Sequence, residues 1–595
     1  MNTQLQALQR YMKSHQLDGF IIPSSDPHQS EYVSDHWKLR EYFSGFTGSA
    51  GTLVVTQKEA ALWTDSRYFL QVEQECHDKD IDLHKQSIPH APEHIPWLCN
   101  LLQDNAVIGI DFRQFSKAQI DYLKQCAGPK HIQLHNKMNF ADHIWPDRPS
   151  VPNAIINDHP TEYSGEPILS KLEKVQNQIT NFNADYYFLS SLDEIAWLFN
   201  IRSQDVDFTP LVIAYALVGH DHTYLFCDVS RLSESVLAKF HEHDIIPKAY
   251  STVFDVLSTL PNETTIVTDP STLNYAVFEA LKERWVFQDS VVRHLKSIKN
   301  PIEIEGEKTC MIKDGVALTQ FFIWLEKLLE TDTITEYEIG RELENFRKLQ
   351  ENYVGESFAA IVGYKANGAI IHYTAPEVGS SEVSKDGILL IDSGAQYKDG
   401  TTDITRTLWL GGDIPKAIKT AYTSVLKGYI ELEQLQFPMG TTGVQIDAFA
   451  RMHLWKNGLD YLHGTGHGVG SFGMVHEPEQ GFATSTTTVR GRAPHLPNQF
   501  TTIEPGCYVE GEFGIRIENI VISKVVSETD FNTFLGFEPL TLCYIDTQLI
   551  DLEMLTENEI DWMNNYHNTV LNALSPYLKD SEVQWLSIKC QPISK

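Results

Sequence analysis

The feature that most constrains this sequence is a pair of acidic residues that follow apolar or strand-forming runs eleven positions apart. Four consecutive apolar residues, 388–391, lead directly into Asp392, a pattern typical of a buried strand. A Lys-Asp-Gly turn signal follows, and the pattern of residues 401–408, which include Asp403, predicts the next strand. We therefore expect two paired strands, each bearing an acid. A buried carboxylate needs a cap, a cationic partner or a metal ion, and either acid alone is compatible with all three.

Two histidines lie farther along the chain in a glycine-rich segment. His463 and His467 belong to the run YLHGTGHGVG, which contains four glycines. Glycine permits tight turns and close backbone approach, but a segment rich in glycine loses much conformational entropy when it becomes ordered. A lone histidine in such a place would more often be structural. Two together favour a functional site.

Two glutamates near the end of the same region complete the set. Glu504 lies in the run TIEPG, and the period-two alternation of GIRIENIV predicts one strand that presents Arg516 and Glu518 on the same face. Arg516 alone would be enough to satisfy a buried Glu518. Four carboxylates with one imidazole, however, carry too much negative charge for a single ion, which favours two divalent ions. Oxygen-rich ligation of this kind suits manganese or another hard-to-borderline divalent ion better than a structural zinc.

The bulk properties exclude several classes of protein. A chain of 595 residues is too long for one ordinary domain, and its net charge of −32 disfavours binding to nucleic acid or to an anionic membrane. The first residues lack the apolar centre of a signal peptide, and no run approaches the ~18 apolar residues of a membrane span. The eight cysteines are scattered without a C-x-x-C pair, so we expect a protein of the reducing cytoplasm.

Three domains are predicted, at 1–150, 151–293 and 294–595. A proline-rich stretch, PDRPSVPN, marks the first boundary. The second zone repeats landmarks of the first in the same order at offsets of 155 to 166 residues; FIIPSSD, for example, is echoed by YFLSSLD. We interpret the two zones as copies of one mixed α/β domain, with chance similarity between strand-turn units as the alternative.

Several patterns predict where helices lie in the first and third of these domains. Leu5, Leu8 and Met12 have helical spacing, and Pro301 followed by acidic residues predicts the start of a long helix. Thr335 and Thr556 each precede an acid by three residues, as the N-cap of a helix does.

Four runs together resemble the pita-bread metallopeptidases, and within them the three-domain Xaa-Pro aminopeptidases: SGFTGSAGT, IDSGAQYKDGTTDITRT, DYLHGTGHGVG and EFGIRIEN. The resemblance covers nearly the whole chain. It implies an α/β protein with two creatinase-like N-terminal mixed α/β domains followed by a C-terminal pita-bread catalytic domain. It also implies hydrolysis of the N-terminal Xaa-Pro bond of peptides by a hydroxide that bridges two metal ions.

The same resemblance assigns the metal ligands. Asp392 would bind one ion as a bidentate ligand, Asp403 and Glu518 would bridge both ions, and His467 with Glu504 would complete the second site. The expected ions are two Mn²⁺, with Zn²⁺ or Co²⁺ as alternatives.

The catalytic set that the resemblance implies comprises His372, His463, His476, Glu504 and Arg516. Glu504 would transfer the proton, His372 and His476 would hydrogen-bond the substrate and the oxyanion, and His372, His463 and Arg516 would receive the proline ring.

The sequence departs from the family pattern at two positions beside the site. Ile503 stands where close relatives often have an acid, and Cys507 where many have a tyrosine, which puts the tuning of the site in doubt and not its chemistry. A dipeptidase of prolidase type and a binding protein that has lost catalysis stay open as alternatives. The N-terminal domains have three open roles, which are to shape the active-site mouth, to limit substrate size or to form a dimer; a homodimer is the assembly we expect.

Overall fold

The computed structural model describes residues 3–87 and 91–595, which form two compact units. One comprises Met1–Thr161 with Glu166–Arg293, and the other Glu162–Gly165 with His294–Lys595. Among the described residues, no helix combines the length and the apolar character needed to cross a bilayer.

The elements that precede residue 300 alternate between short helices and short strands. The helices are α1 (Thr3–Ser14), α2 (Leu39–Ser44), α3 (Phe69–Glu75), α4 (His94–Leu101), α5 (Lys117–Ala127), α6 (Phe140–Ile144), α7 (Thr161–Ser164), α8 (Ile168–Asn181), α9 (Leu192–Leu198), α10 (Glu234–Glu242), α11 (Val253–Thr259), α12 (Tyr275–Leu281) and α13 (Val291–Ser297). The strands are β1 (Gly19–Pro23), β2 (Thr52–Thr56), β3 (Ala60–Thr64), β4 (Asp82–Lys85), β5 (Val107–Ile110), β6 (Gln133–Asn136), β7 (Asn157–Asp158), β8 (Tyr186–Leu189), β9 (Ile201–Arg202), β10 (Tyr215–Gly219), β11 (Thr223–Cys227), β12 (Ile245–Ala249), β13 (Ile266–Thr268) and β14 (Trp285–Phe287).

The elements that follow residue 300 include longer helices and longer strands. The helices are α14 (Pro301–Leu329), α15 (Glu336–Arg347), α16 (Lys416–Glu433), α17 (Gly443–Trp455), α18 (Val489–Arg492), α19 (Glu557–Leu574) and α20 (Asp580–Lys589). The strands are β15 (Ile334–Thr335), β16 (Tyr353–Glu356), β17 (Ile361–Tyr364), β18 (Glu382–Val383), β19 (Gly387–Ser393), β20 (Ala395–Tyr397), β21 (Gly400–Thr401), β22 (Ile404–Gly411), β23 (Phe437–Pro438), β24 (Gly466–Gly468), β25 (Glu477–Phe482), β26 (Phe500–Ile503), β27 (Gly506–Val509), β28 (Phe513–Arg516), β29 (Asn519–Glu528) and β30 (Thr533–Pro539).

The first unit contains two six-stranded sheets with one topology. Their strand orders are β4-β3-β2-β1-β5-β6 and β12-β11-β10-β8-β13-β14. In each sheet the central strand, β1 or β8, pairs antiparallel with one neighbour and parallel with the other. The shared order and direction of the strands agree with the predicted repeat, since chance similarity of strand-turn units would not reproduce a whole sheet.

The second unit begins with the long helix that the proline signalled. Asn300 is its N-cap and accepts hydrogen bonds from the first-turn amides, while the Glu303 side chain accepts one from the Asn300 amide. Pro301 occupies the first turn, where a missing N–H is harmless. The helices after Thr335 and Thr556 begin with the same reciprocal box, so all three predicted helix starts are confirmed.

Strand β19 forms the centre of the three-stranded sheet β17-β19-β22. All seven of its residues are buried, as the apolar run predicted, and Asp392 pairs across the sheet with Thr405. A six-stranded sheet, β23-β30-β29-β26-β24-β25, and the hairpin β27-β28 supply the other segments of the region. The apolar core of this unit joins these sheets to α14, α16, α17 and α19.

Two of the predicted strands are wrong in their bounds. The strand expected over 401–408 is broken at residues 402–403, so Asp403 lies between β21 and β22, and Glu518 lies between β28 and β29 and not on the strand that carries Arg516. The reason is a change of sheet: β21 pairs with β20 but β22 pairs with β19, and β28 pairs with β27 but β29 pairs with β26 and β30. Glu504 lies at a third such crossing, between β26 and β27.

Arg406 on β22 joins these segments from the core. Its guanidinium, 1% exposed, donates to the carbonyl oxygens of Glu518, Cys543 and Tyr544 at 2.7–2.8 Å, and also to the Tyr566 hydroxyl at 2.8 Å. One buried side chain thus satisfies backbone acceptors beside the Glu518 crossing and in the C-terminal segment.

Replacing Arg406 with methionine keeps most of the side-chain volume and removes these donors. Several buried carbonyls then lose their partners, so we expect a loss of more than about 3 kcal/mol of stability, seen as a lower midpoint of thermal unfolding for the second unit. Arg341→Met is the matched control, since Arg341 is an exposed arginine whose pair with Glu344 should contribute less than about 1 kcal/mol. Equal midpoints for the two variants would contradict the role given to Arg406.

Candidate metal centre

The structure brings the predicted ligands into one buried site. Asp392 comes from β19, His467 from β24, and Asp403, Glu504 and Glu518 from the three points where the chain changes sheet. The Nε2 atom of His467 lies 3.4 Å from Asp403 Oδ2 and 3.5 Å from Glu504 Oε1. One ligand atom from each of Asp403, His467 and Glu518 can be chosen so that all three lie within 4.8 Å of one another.

Two glycines allow the ligand-bearing segments to approach. A Cβ atom added to Gly394 would lie 2.0 Å from the carbonyl oxygen of Thr402, and one added to Gly466 would lie 1.9 Å from that of Thr502. Gly394 therefore lets the segment after Asp392 pass against the residue before Asp403. Gly466 does the same for the strand of His467 and the strand that leads to Glu504.

The orientation of His467 follows from its backbone contact. Its Nδ1–H donates to the carbonyl oxygen of Gly468 at 3.0 Å. The proton on Nδ1 leaves the Nε2 lone pair directed at the carboxylates, as in most histidines that bind a metal ion.

A chain of hydrogen bonds orients two of the acids. Arg516 donates through Nη2 to Asp392 Oδ2 and through Nε to Thr405 Oγ1 at 3.0 Å, and Thr405 Oγ1 donates to Glu518 Oε2 at 2.7 Å. The other oxygen, Asp392 Oδ1, is buried and has no hydrogen-bond partner among the described residues. A buried carboxylate oxygen left in this state is costly unless a cation binds it.

Burial and mutual repulsion favour the protonated forms of Asp403, Glu504 and Glu518 in the protein without metal. Burial raises the pKa of Asp403 and of Glu518 well above the usual values, and each is raised further by the neighbouring carboxylates. Burial also raises the pKa of Glu504 to about 7, against the opposing charge of Arg516 and with the charge of Asp392. The Glu504 side chain is 18% exposed, against 4% for that of Asp403.

The donor set fits two divalent ions. Four carboxylates share the site, Arg516 hydrogen-bonds one of them, and each protonated acid would lose its proton to a bound cation. Oxygen donors with one imidazole nitrogen suit Mn²⁺ and related ions. Two divalent ions would neutralise the four carboxylates and supply the missing partner of Asp392 Oδ1.

The three histidines of the predicted catalytic set, His372, His463 and His476, occupy different surroundings. The His476 ring packs edge-on to the His467 ring, with centroids 4.4 Å apart. His463 donates through Nδ1 to the Gly464 carbonyl, so its Nε2 accepts a hydrogen bond from the Tyr508 hydroxyl at 2.9 Å. His372 is half-buried in the loop that follows the turn Lys365–Ala369.

Tyr508 is a site residue that the sequence reasoning missed. Its hydroxyl accepts from Arg516 Nη1 at 2.7 Å and so links Arg516 to His463. Gly506 makes this possible, since a Cβ there would lie 2.4 Å from that hydroxyl. Cys507, the preceding residue of β27, belongs to the buried apolar core, since successive residues of a strand point to opposite faces.

The fold and the site together define a dinuclear metallohydrolase architecture, and comparison with known proteins agrees. Residues 307–524 match the sequence model of Metallopeptidase family M24, and 533–593 match the C-terminal region of that peptidase group. Residues 4–139 and 147–303 each match a Creatinase/Prolidase N-terminal domain.

Similar proteins extend over the full chain. A protein named probable Xaa-Pro aminopeptidase P from Coprinopsis cinerea is 38% identical over 99% of this chain and 98% of its own length. Aminopeptidase P1 of Arabidopsis thaliana is 35% identical over the whole of both chains. The crystal structure of X-prolyl aminopeptidase from Caenorhabditis elegans, described as a cytosolic enzyme with a di-nuclear active site, superposes with a TM-score of 0.94 at 33% identity over 99% of each chain.

The chain therefore belongs to the Xaa-Pro aminopeptidase P family of M24 metallopeptidases. The predicted fold class, two creatinase-like domains followed by a pita-bread domain, is confirmed.

Metal uptake should release protons, because the acids in the site hold them near neutral pH. The folded-state pKa of Glu504, about 7, exceeds the usual value of 4.5, so the metal-free protein loses stability as the pH rises from about 4.5 through 7. Bound ions reverse this trend. Titration calorimetry with Mn²⁺ at pH 6.5, in two buffers of different protonation enthalpy, should give heats that differ by the protons released, and the difference should shrink at pH 8.5.

Glu433 supplies the control for this titration. It is another buried acid, whose pKa burial raises to about 7, but it donates no atom to the site and binds Trp562 instead. Glu433→Gln should leave the proton release unchanged. Identical heats in both buffers for the unaltered protein would show that the acids are already ionised.

Proposed function

We propose that this metallopeptidase removes the N-terminal residue from peptides whose second residue is proline, using two divalent metal ions. The observation that carries the proposal is the convergence of His467 with Asp403, Glu504 and Glu518 in a buried site whose negative charge Arg516 alone does not balance. The names of the similar proteins support specificity for proline.

The five ligands we assign are Asp392, Asp403, His467, Glu504 and Glu518. When bound, the two ions would polarise the scissile carbonyl and make water a competent nucleophile at neutral pH. Manganese is the proposed ion, with Zn²⁺ or Co²⁺ as alternatives. The oxygen-rich donor set supports this choice.

Glu504 is the proposed proton carrier. It accepts a proton from the attacking water and passes it to the leaving nitrogen. Its side chain is 18% exposed, more than those of Asp392 and Asp403 at 11% and 4%, which supports this choice among the acids. His476 would hydrogen-bond the developing oxyanion, and the contact of its ring with that of His467 supports this role.

Recognition of the substrate ends is assigned to the remaining residues. His372, His463 and Arg516 receive the proline ring, and the Tyr508 bridge between His463 and Arg516 supports the assignment of these two. A tertiary proline amide carries no hydrogen, so peptidases that rely on that donor handle it poorly. The free amine of the substrate is drawn to the acidic metal centre, which limits cleavage to the N-terminus.

The domain bounds 1–150, 151–293 and 294–595 are likewise proposed. The family matches at 4–139, 147–303 and 307–593 support the threefold division, although the second match runs ten residues past the proposed boundary. A cytoplasmic location is also proposed. All eight cysteines, which lie within the described residues, are unpaired, and the C. elegans relative is described as cytosolic.

Two peptides test the reaction. With Mn²⁺ restored, the protein should release arginine from Arg-Pro-Pro, measured by chromatography of the products. Cleavage of Ala-Pro alone would identify a prolidase-type dipeptidase. Cleavage of neither peptide by protein that contains two ions would favour a binding protein.

Asp403→Asn tests the site within the same assay. Loss of this carboxylate should lower kcat/KM at least about a thousandfold and reduce metal content, measured by elemental analysis, because the remaining ligands no longer balance two ions. The protein should stay folded, since removal of one acid relieves repulsion. Full activity with unchanged metal content would refute the assignment.

A homodimer is the proposed assembly. The end of the β29–β30 hairpin exposes Val525 and Val526 at 46% and 47% and Phe531 at 96%, and Met439, bonded through its amide to Thr533, exposes 42%. Adjacent exposed apolar side chains of this kind favour burial against a second copy.

Sedimentation velocity tests the dimer. Phe531→Glu should shift the protein toward the monomer, because a charge in an apolar interface is unfavourable. Val378→Glu is the control, since Val378 is 89% exposed in a different loop. If both variants and the unaltered chain sediment as dimers, the hairpin does not lie in the interface. If all three sediment as monomers, the proposed dimer is wrong.

A further inference from the structure

The segment that opens the second unit is bound along the strand that follows His476. His294 Nδ1 lies 3.4 Å from Glu479 Oε1, Lys296 Nζ donates to Glu477 Oε2 at 2.7 Å, and Lys299 Nζ donates to Glu477 Oε1. Three residues within six positions thus contact β25. No role in the proposed mechanism accounts for them.

The burial of this cluster is unusual for its charge. The Lys296 and Lys299 side chains are only 3% and 1% exposed, and that of Glu477 is 5% exposed. Lysine is rarely buried to this extent unless it is paired, and here two ammonium groups share one carboxylate. An apolar cluster would hold the segment at lower electrostatic cost, so the arrangement indicates a need for fixed direction at Glu477.

We call the contacts of Lys296 and Lys299 with Glu477 the clamp. Glu477 connects this clamp to the metal centre. His476 lies in the bend 471–476 and makes no strand pairing of its own, whereas Glu477 is the first residue of β25 and pairs with Gly468, the neighbour of His467. The carboxylate ties Glu477 to the lysines while its backbone ties it to β24. The position of the His476 ring against His467 is therefore set from both sides.

The same segment also binds the chain that leads to Glu504. The Lys299 amide donates to the Asn498 carbonyl at 2.8 Å, and Gln499 Nε2 donates to Ser297 Oγ at 3.1 Å, immediately before β26. The residues 296–299 therefore fasten β25, which follows His476, and β26, which precedes Glu504; these two strands flank β24, the strand of His467.

We propose that Lys296 and Lys299 are positioning residues that, through Glu477, hold His476 in its catalytic place. This inference rests on the proposed function, because it takes His476 as the group that stabilises the oxyanion. A displacement of that group by about 1 Å is enough to slow a reaction a hundredfold, while the metal ligands stay bound to their own elements.

Lys296→Met is the variant that tests the clamp. It leaves Lys299 paired with Glu477, so the buried cluster keeps one positive charge for one negative and the fold survives. We expect kcat for Arg-Pro-Pro to fall at least about tenfold, KM to change less than about twofold, and two metal ions to remain. Lys296→Arg, which can still donate to Glu477, should recover most of the lost kcat.

Hydrogen exchange of the metal-free protein gives a readout that does not depend on catalysis. Peptides that cover residues 471–482 should exchange faster in Lys296→Met than in the unaltered chain, and Lys296→Arg should restore the slower rate. Lys427→Met is the matched control, because Lys427 forms a similarly buried pair with Glu559 between α16 and α19. It should loosen those helices and leave 471–482 and kcat unchanged.

The outcomes separate the two proposals. If the unaltered, metal-loaded protein fails to cleave Arg-Pro-Pro, the proposed function is wrong. This holds for any hydrogen-exchange rate of the peptides that cover residues 471–482. Cleavage by the unaltered protein, with Lys296→Met matching it in kcat and exchange, would overturn the clamp alone. Loss of metal in Lys296→Met would also overturn it, since the lysines would then support the ligands and not His476.

Discussion

The second unit depends on one electrostatic constraint, which is that four carboxylates are buried together while Arg516 hydrogen-bonds one of them. Repulsion among Asp392, Asp403, Glu504 and Glu518 and their removal from water oppose folding of the ionised site, and the raised pKa values of three of them express that opposition. The surrounding structure must therefore hold acids together that would separate if free. Divalent ions convert this unfavourable arrangement into a stable one, so metal binding and the integrity of the site are one equilibrium.

The backbone meets this constraint by placing acids where the chain passes from one sheet to another. A residue within a strand has its direction dictated by its pairing partners, whereas a residue between two sheets is held from both ends and still faces the space between them. Asp403, Glu504 and Glu518 all occupy such positions, and only Asp392 projects from a continuous strand. Gly394 and Gly466 then permit the close approach that brings the crossings together.

The sequence allowed the fold class, the repeat, the principal helix starts and the convergence of the ligands to be predicted, because these leave local or family-specific patterns. It did not reveal the breaks at Asp403 and Glu518. Neither break, at 402–403 or 517–518, contains a glycine or a proline, and the pairing partners of each half decide which sheet it joins. Tyr508 and the Lys296–Lys299 clamp were missed for a related reason: their partners lie eight to 181 positions away, beyond any local pattern.

Arg406 makes the C-terminal segment part of the support of the metal centre. Its donors bind the carbonyl of Glu518 on one side and those of Cys543 and Tyr544, with the Tyr566 hydroxyl, on the other. During synthesis the chain up to Glu518 contains every ligand, but the arginine beneath them has only part of its acceptors until residues beyond 566 have emerged. The C-terminal segment therefore completes the hydrogen bonding of the arginine that supports the Glu518 crossing, although it supplies none of the proposed ligands.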